Sequence, residues 1–259
     1  MTFIEKAAYQ LRRASESRIA CPPVRQLIGS TSLEDAYAVQ FINTEQRVQK
    51  GAKIVGKKIG LTSFKVQEQL GVDQPDFGVL FDDMQGANNG IIPFSELMQP
   101  KAEAEIAFVL KTDLPNPDCS LQEVEAAIDY AVAAIEIVGS RIANWDIVIT
   151  DTIADNASAS HFVLGDTKKR LSDIDVVNGE MQLFKNDILY SEGTGKACLD
   201  SPVFATHWLA QKMASLGLPL QAGDIVLSGA LGPMVNLQPD DRLLATVEGL
   251  GEVRVFVNK

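Results

Sequence analysis

The segment KAEAEIAFVL, residues 101–110, places two glutamates two positions apart at the start of an apolar run. This pattern predicts a β-strand, in which side chains at positions i and i+2 point to the same face. Glu103 and Glu105 would therefore aim their carboxylates at one spot. Because like charges that close repel, one carboxylate would have to keep a proton unless a positive group lay between them. The alternative is a strand end with two solvated carboxylates.

A third carboxylate, Glu136, lies in the apolar segment AAIEIVGS, residues 133–140. A glutamate among Ala, Ile and Val is costly to bury unless it is paired or bound to a metal, although it could instead face outward from the strand. Carboxylate oxygens are the ligands that Mg²⁺ and Mn²⁺ prefer. A divalent cation is therefore one candidate for the positive group between Glu103 and Glu105.

Other polar residues occur in patterns that fit either catalysis or structure. Lys58, in the apolar strand VGKKIGLTS, could be an inward-facing acid, base or clamp, or a lysine on an edge strand with its ammonium in solvent. Asp76, in DQPDFG, could be catalytic or a turn residue. Asp155, Asn156 and Ser158, in DTIADNASAS, could form a helix cap or a loop, or could offer donors to a bound anion.

The order of the elements predicts an α+β fold. Amphipathic helices are predicted over residues 3–19 and 32–50, the second capped by Ser32, and short strands separated by Gly, Pro and Asp follow them. This order divides the chain into a helical N-terminal segment, residues 1–52, and a strand-rich, largely antiparallel catalytic core, residues 53–259.

Helices also interrupt the predicted core. A short one is expected between Ser63, its N-cap, and Gly71. A longer one is expected over residues 120–134, where Ser120 and Glu123 form a capping box, with a strand directly after it. Further along the chain, a hairpin is predicted to turn at residues 185–187.

Composition excludes some classes of function. The chain has 34 acidic and 23 basic residues, so its net charge of −11 disfavours nucleic acid as a partner. Apolar runs are too short to span a bilayer, and the N-terminus lacks the pattern of a secretory signal. Three widely spaced cysteines argue against a disulfide framework. These features predict a cytoplasmic protein without membrane or nucleic-acid partners.

Four segments, taken in order, resemble a known family. They are GKKIGLTSFKVQEQLGVDQPDFGVLFDDM, EAEIAFVL, AIEIVGSRIANWDIVITDTIADNAS and GDIVLSGALGPM. They are similar to the 2-keto-4-pentenoate hydratases, also called 2-hydroxypenta-2,4-dienoate hydratases, of the fumarylacetoacetate hydrolase superfamily. These enzymes act in the meta-cleavage breakdown of aromatic compounds.

The resemblance implies a fold, a metal and a set of site residues. The fold would be a mixed β-roll or β-sandwich core with a helical N-terminal segment, and the substrate would be a short 2-hydroxy-dienoate. By motif, Mg²⁺ or Mn²⁺ would be held by Glu103, Glu105 and Glu136. The resemblance further implies catalytic roles for Lys58 and Asp76. Asn156, Ser158 and Leu61 are predicted to bind the substrate, the first two by orienting it or the attacking water.

Two related activities are disfavoured by the motifs. Fumarylacetoacetate-type hydrolases use a histidine near the start of the catalytic domain, whereas no histidine precedes His161 here. The 4-oxalocrotonate decarboxylases tend to lack the aspartate of the P-D-F-G motif and to carry Asp-Ser-Arg where this chain has Gly139-Ser140-Arg141. The sequence therefore favours a hydratase. Its alternatives are a decarboxylase, a hydratase of a longer dienoate and an inactive partner subunit.

The resemblance also implies assembly. Family members form homo-oligomers, often pentamers or decamers, and can associate with a neighbouring aldolase or decarboxylase of the pathway.

Overall fold

The computed structural model describes residues 1–70 and 72–259, so Gly71, the predicted end of the short helix after Ser63, lies outside the described residues. The α-helices of the described chain are α1 (Phe3–Ser17), α2 (Arg25–Ile28), α3 (Leu33–Gln49), α4 (Phe64–Leu70), α5 (Leu121–Ala127), α6 (Ile149–Ala154) and α7 (Pro202–Ser215). No helix among these residues is long and apolar enough to cross a membrane.

The strands follow the first three helices, of which α1 and α3 correspond to the two helices predicted from the sequence and the short α2 was not predicted. They are β1 (Ile54–Gly60), β2 (Asp76–Phe81), β3 (Gln85–Gly86), β4 (Gly90–Pro93), β5 (Lys101–Leu110), β6 (Ile128–Val138), β7 (Ala159–Leu164), β8 (Glu180–Lys185), β9 (Ile188–Thr194), β10 (Ile225–Leu227), β11 (Val235–Asn236), β12 (Asp241–Val247) and β13 (Gly251–Asn258).

These strands form two sheets that pack against each other. One has the order β2-β1-β10-β5-β6-β7-β3, with β11 also paired to β5, and the other has the order β4-β13-β12-β8-β9. Parallel pairing joins β1 to β10, β3 to β7 and β4 to β13, whereas the neighbours of β5 and β6 are antiparallel. Strands β12 and β13 lie against β6 of the first sheet. The predicted α+β fold with a mixed, sandwiched core is confirmed.

The N-terminal helices share the hydrophobic core of the sheets. Leu11 of α1 and Val39 of α3 belong to the same buried cluster as Ile135 of β6. Tyr37 of α3 stacks on Phe77 of β2 with ring centroids 4.4 Å apart. This packing holds the helical segment against the strand that carries Asp76.

The helix predicted over residues 120–134 is wrong in its second half. Ser120 and Glu123 do form the predicted capping box, but α5 ends at Ala127 and β6 begins at Ile128. The alanines of this segment favour a helix locally. However, β6 is paired on both edges and buried along most of its length, and such central strands are apolar on both faces. Tertiary pairing therefore outweighs the local helical propensity.

The predicted hairpin is confirmed, although Lys185 belongs to β8 and not to the turn. Strands β8 and β9 are joined at Asn186 and Asp187, whose φ angles are 53° and 65°. Asn and Asp tolerate the left-handed region better than other non-glycine residues, and a two-residue turn with both φ positive matches the twist of a hairpin.

Candidate active site

Two neighbouring antiparallel strands bring the three glutamates together. Glu103 of β5 lies directly opposite Glu136 of β6, and Glu105 follows two residues later on the same face. One carboxylate oxygen from each residue lies within 4.8 Å of the other two. Glu105 and Glu136 are fully buried, while Glu103 is partly exposed. The carboxylates therefore converge from one face of the central sheet.

Lys58 reaches the carboxylates from β1. The register pairs Lys58 with Leu227 of β10, and Leu227 with Ala107 of β5, so Lys58 shares the face of Glu105. Its Nζ lies 3.2 Å from Oε2 of Glu136 and donates a hydrogen bond of 3.2 Å to the carbonyl oxygen of Ala157. Burial alone would lower the pKa of Lys58, but the surrounding carboxylates, Glu136 foremost, raise it overall. The surrounding carboxylates therefore favour the ammonium form of Lys58.

Asp76 enters the same space from β2. It is paired with Gly60 of β1 and is 1% exposed. A Cβ at position 60 would lie 2.2 Å from Oδ1 of Asp76, so any other residue there would displace this carboxylate from its observed position. Burial raises the pKa of Asp76 to about 6, with Lys58 opposing the shift and Glu136 adding to it. Asp76 can therefore change protonation state near neutral pH.

The buried site has more negative than positive groups. Within the described part of the chain, neither oxygen of Asp76 has a hydrogen-bond partner, and neither has Oε1 of Glu105. Burial raises the pKa of Glu103 to about 7, and burial with the neighbouring glutamates raises the pKa of Glu105 well above its usual value. Such a set is costly unless a cation neutralises it. Three converging carboxylates fit a hard divalent metal ion.

A backbone amide completes the support of Glu105. The N–H of Gly229 donates to Oε2 of Glu105 at 2.9 Å. Gly229 has a φ of +107°, and a Cβ there would lie 2.4 Å from Oγ1 of Thr62. The glycine of the small-residue turn after β10 is therefore required by its conformation and by the close approach of Thr62.

The family follows from a match over the core. Residues 58–258 match the family model described as fumarylacetoacetate (FAA) hydrolase C-terminal. The chain belongs to the fumarylacetoacetate hydrolase family. The resemblance inferred from the sequence motifs is thereby confirmed.

Similar proteins extend the match to the whole chain. The TodF product hydratase of Pseudomonas putida strain F1 is 52% identical over 250 residues, which cover 96% of this chain and 93% of that protein. The 2-keto-4-pentenoate hydratase of Paraburkholderia xenovorans strain LB400 is 49% identical with the same coverage. Among solved structures, 4-oxalocrotonate decarboxylase from Pseudomonas putida G7, complexed with magnesium and adipate, has a TM-score of 0.93 and 32% identity, covering 97% of this chain and 96% of that one.

Asn156 and Ser158, which the sequence predicts to bind substrate, lie beside the charged residues of the site. Their side chains already form hydrogen bonds within the protein. The side-chain amide of Asn156 donates to the carbonyl oxygen of Val79 at 2.9 Å and accepts from its N–H at 2.7 Å. The hydroxyl of Ser158 lies 3.3 Å from that of Thr152. The structure thus directs these two side chains toward the protein, and roles for them in substrate binding stay a prediction.

Leu61 follows β1 in a left-handed conformation, with a φ of 56°. Its carbonyl oxygen accepts a hydrogen bond of 2.7 Å from the side chain of Gln67 in α4. The contact ties α4 to the chain three residues after Lys58. A role for Leu61 in substrate binding stays a prediction as well.

Sequence reasoning missed two backbone groups and one side chain. The carbonyl of Ala157 contacts Lys58 and the amide of Gly229 contacts Glu105. Arg141 forms a partly buried ion pair with Asp155 beside the site. Backbone groups carry no residue-specific signal in a sequence. Arg141 is visible in the sequence only as part of the Gly139-Ser140-Arg141 motif, which does not indicate its contact with Asp155. The missing side chain of Gly229 was the one sequence clue to a close approach there.

Proposed function

We propose that this protein is a metal-dependent hydro-lyase that adds water to 2-hydroxypenta-2,4-dienoate (2-oxopent-4-enoate) and forms 4-hydroxy-2-oxopentanoate in meta-cleavage catabolism. The observation that carries the proposal is the buried convergence of three glutamates with Lys58 beside them. The hydratase names of the relatives that match nearly the whole chain support it.

The proposed metal is Mg²⁺ or Mn²⁺, held by Glu103, Glu105 and Glu136. When bound, such an ion supplies Lewis acidity toward the 2-oxygen and a template for the substrate. The oxygen-only ligand set and the raised pKa values of Glu103 and Glu105 support a divalent cation at this point.

The reaction needs two changes in the substrate. First, the dienol gives up its enol proton and gains a proton at its terminal carbon, which yields an α,β-unsaturated ketone. Second, the oxygen of water bonds to the β-carbon, and a proton reaches the carbon next to the ketone. Overall, one molecule of water is added to the substrate, and the protein groups end in the protonation states in which they began.

Lys58 and Asp76 are the groups of this chain placed to trade those protons. The Lys58 ammonium has three donors. Its contacts with Ala157 and Glu136 leave donor capacity for the substrate, where a positive charge stabilises negative charge developing on the 2-oxygen. Asp76, with its pKa near 6, can take a proton from water and give it back at neutral pH.

The test is turnover of freshly prepared 2-hydroxypenta-2,4-dienoate by protein loaded with Mg²⁺ or Mn²⁺. We expect loss of the conjugated dienol absorbance, with 4-hydroxy-2-oxopentanoate as product, and no turnover in a parallel sample that contains a chelator. Turnover of a longer dienoate alone would move the proposal to a different substrate tail. Release of CO₂ from 2-oxohex-3-enedioate, without hydration of the dienoate, would replace it with a decarboxylase. Inactivity on all of these substrates would favour an inactive partner subunit.

The proposal includes homo-oligomeric assembly as a pentamer or decamer. Edge strand β9 exposes Ile188, Leu189 and Tyr190, and exposed apolar groups on a sheet edge support an interface. Light scattering of the purified protein measures the assembly, and the mass of a single chain would contradict it.

A further inference from the structure

The chain adopts an unusual backbone conformation directly beside Lys58. Three consecutive residues, none of them glycine, lie in the left-handed region: Asn156, Ala157 and Ser158 have φ angles of 57°, 48° and 58°. Non-glycine residues rarely adopt this conformation, and a run of three persists only where the surroundings hold it. Residues 156–158 form the left-handed turn.

The inner side of the left-handed turn contacts the candidate active site. The carbonyl oxygen of Ala157 accepts the hydrogen bond from Lys58 Nζ at 3.2 Å, and the contact is buried. A change from the left-handed to the right-handed region would re-orient this carbonyl. The strained conformation therefore determines where the carbonyl holds the ammonium.

The outer side of the turn is held by Arg141. Its backbone N–H donates to Oδ2 of Asp155 at 2.9 Å, and its Nε donates to Oδ1 of the same residue at 2.5 Å. Its Nη1 donates to the carbonyl of Ala159 at 3.0 Å, and its Nη2 donates to the carbonyl of Asp155. Arg141 thus bonds to the residues immediately before and after the left-handed turn.

The turn is also docked onto β2, the strand that carries Asp76. The side chain of Asn156 pairs with both backbone groups of Val79. A Cβ at Gly78 would lie 2.4 Å from the carbonyl oxygen of Asn156, so glycine is needed for the turn to come this close. Arg141, Asp155 and Asn156 line a cleft of ≈ 570 Å³ that is bordered by α1 and α3. Arg141 therefore contacts the turn from the side of the N-terminal helices.

We propose that Arg141 and Asn156 are positioning residues, which hold the left-handed turn so that the Ala157 carbonyl fixes the position of Lys58 Nζ beside Glu136. The inference rests on the proposed function for its kinetic effect. It assigns these two residues no contact with substrate or metal, and for Asn156 it replaces the predicted substrate contact, because the side-chain amide is bonded to Val79. Their removal should therefore slow the chemical step and leave binding intact.

The first test compares Arg141→Lys with Arg25→Lys. Arg25 is a matched control because it pairs with buried Asp151 near the start of α6, whereas Arg141 pairs with Asp155 directly after α6. Lysine keeps the charge but cannot reproduce the several directed donors of arginine. We expect about ten- to hundredfold lower kcat for Arg141→Lys. This is the loss expected when a hydrogen bond to a charged group, here that of Lys58 to the Ala157 carbonyl, is misplaced. KM and the Mn²⁺ dissociation constant, measured by titration calorimetry, should stay close to wild type. Arg25→Lys should lose thermal stability to a similar degree but keep its kcat.

Substitutions in the turn itself separate its conformation from its side chains. Glycine adopts a positive φ without steric cost, so a glycine in the turn permits the left-handed conformation and removes only the side chain. Asn156→Gly permits the same φ but removes the bridge to Val79, so its kcat should fall as in Arg141→Lys. Equal kcat for Arg141→Lys, Asn156→Gly and Arg25→Lys would overturn the proposal. An equal loss of metal affinity and kcat in the first two would also overturn it.

A crystal structure of Arg141→Lys gives a readout that needs no activity. We expect the Ala157 carbonyl to have moved out of hydrogen-bond distance of Lys58 Nζ. If the wild-type protein does not turn over the dienoate, the proposed function fails, and this distance still decides whether Arg141 positions the turn. An unmoved carbonyl would contradict the inference.

Discussion

Replacement of Glu105 by glutamine tests the metal site without disturbing the fold. Oε2 of Glu105 accepts a hydrogen bond from the N–H of Gly229. The amide oxygen of a glutamine can accept the same bond, and the side chain has nearly the same volume. The substitution should therefore leave the packing intact while removing one of three converging anionic oxygens.

The expected magnitude follows from the charges around Glu105. Without metal, this carboxylate is buried with Glu103 and Glu136, and the two neighbours raise its pKa together with burial. Glu105→Gln removes this repulsion, so the metal-free variant should be at least as stable as the metal-free wild type. With a ligand at about 100 times its Kd, binding stabilises the folded state by about 2.7 kcal/mol. For a chain of this size that corresponds to a Tm increase of roughly 5–11 °C, which the variant should lose.

The assay is thermal unfolding with Mn²⁺ and with a chelator, at equal protein concentrations, followed by a turnover measurement. Asp76→Asn is the matched control because it also neutralises a buried carboxylate on the same face but lies outside the three-glutamate cluster. Asp76→Asn should keep the metal-dependent Tm increase and lose turnover. Glu105→Gln should lose both. A full Tm increase and full activity in Glu105→Gln would refute the metal assignment.

Three further outcomes follow from the site. Lys58→Met should lower kcat by about 10²-fold or more, which is the usual loss for a proton-transfer group. It should retain Mn²⁺ binding in calorimetry, because the site becomes more negative. An unchanged kcat would remove Lys58 from the mechanism. Because the pKa values of Glu103 and Asp76 are raised to about 7 and about 6, the folded metal-free protein binds protons that the unfolded chain has lost. Its Tm in chelator should therefore fall as pH rises from about 4.5 to 7, and Mn²⁺ affinity should increase over the upper part of this range because the cation competes with protons; a Tm that rises across this window would contradict the raised pKa values. Gly229→Ala should weaken Mn²⁺ binding in the same titration, because a Cβ there meets Thr62 and displaces the donor to Glu105; wild-type affinity would show that this donor is dispensable.

Local sequence rules predicted the parts of the fold that depend on neighbouring residues. The shared face of Glu103 and Glu105 follows from the two-residue period of a strand, and the cap at Ser120 follows from its own side chain. The position of Glu136 opposite Glu103 depends on the register between two strands, which the local pattern does not specify. The early end of α5 has the same origin, because pairing across the sheet converts an alanine-rich segment into a strand.

The parts of the site that the sequence concealed are backbone groups, since an amide or carbonyl is the same at every position. What indicates these backbone groups in the sequence is a glycine, because the absence of a side chain makes room for a close approach. A Cβ would lie 2.2 Å from Asp76 at Gly60, 2.4 Å from the carbonyl of Asn156 at Gly78 and 2.4 Å from Thr62 at Gly229. Each of these glycines stands in a motif beside a candidate site residue, or supplies the amide that supports one. Glycines in such motifs therefore indicate where backbone approaches the reacting groups, even where, as at Ala157, the contacting residue itself gives no signal.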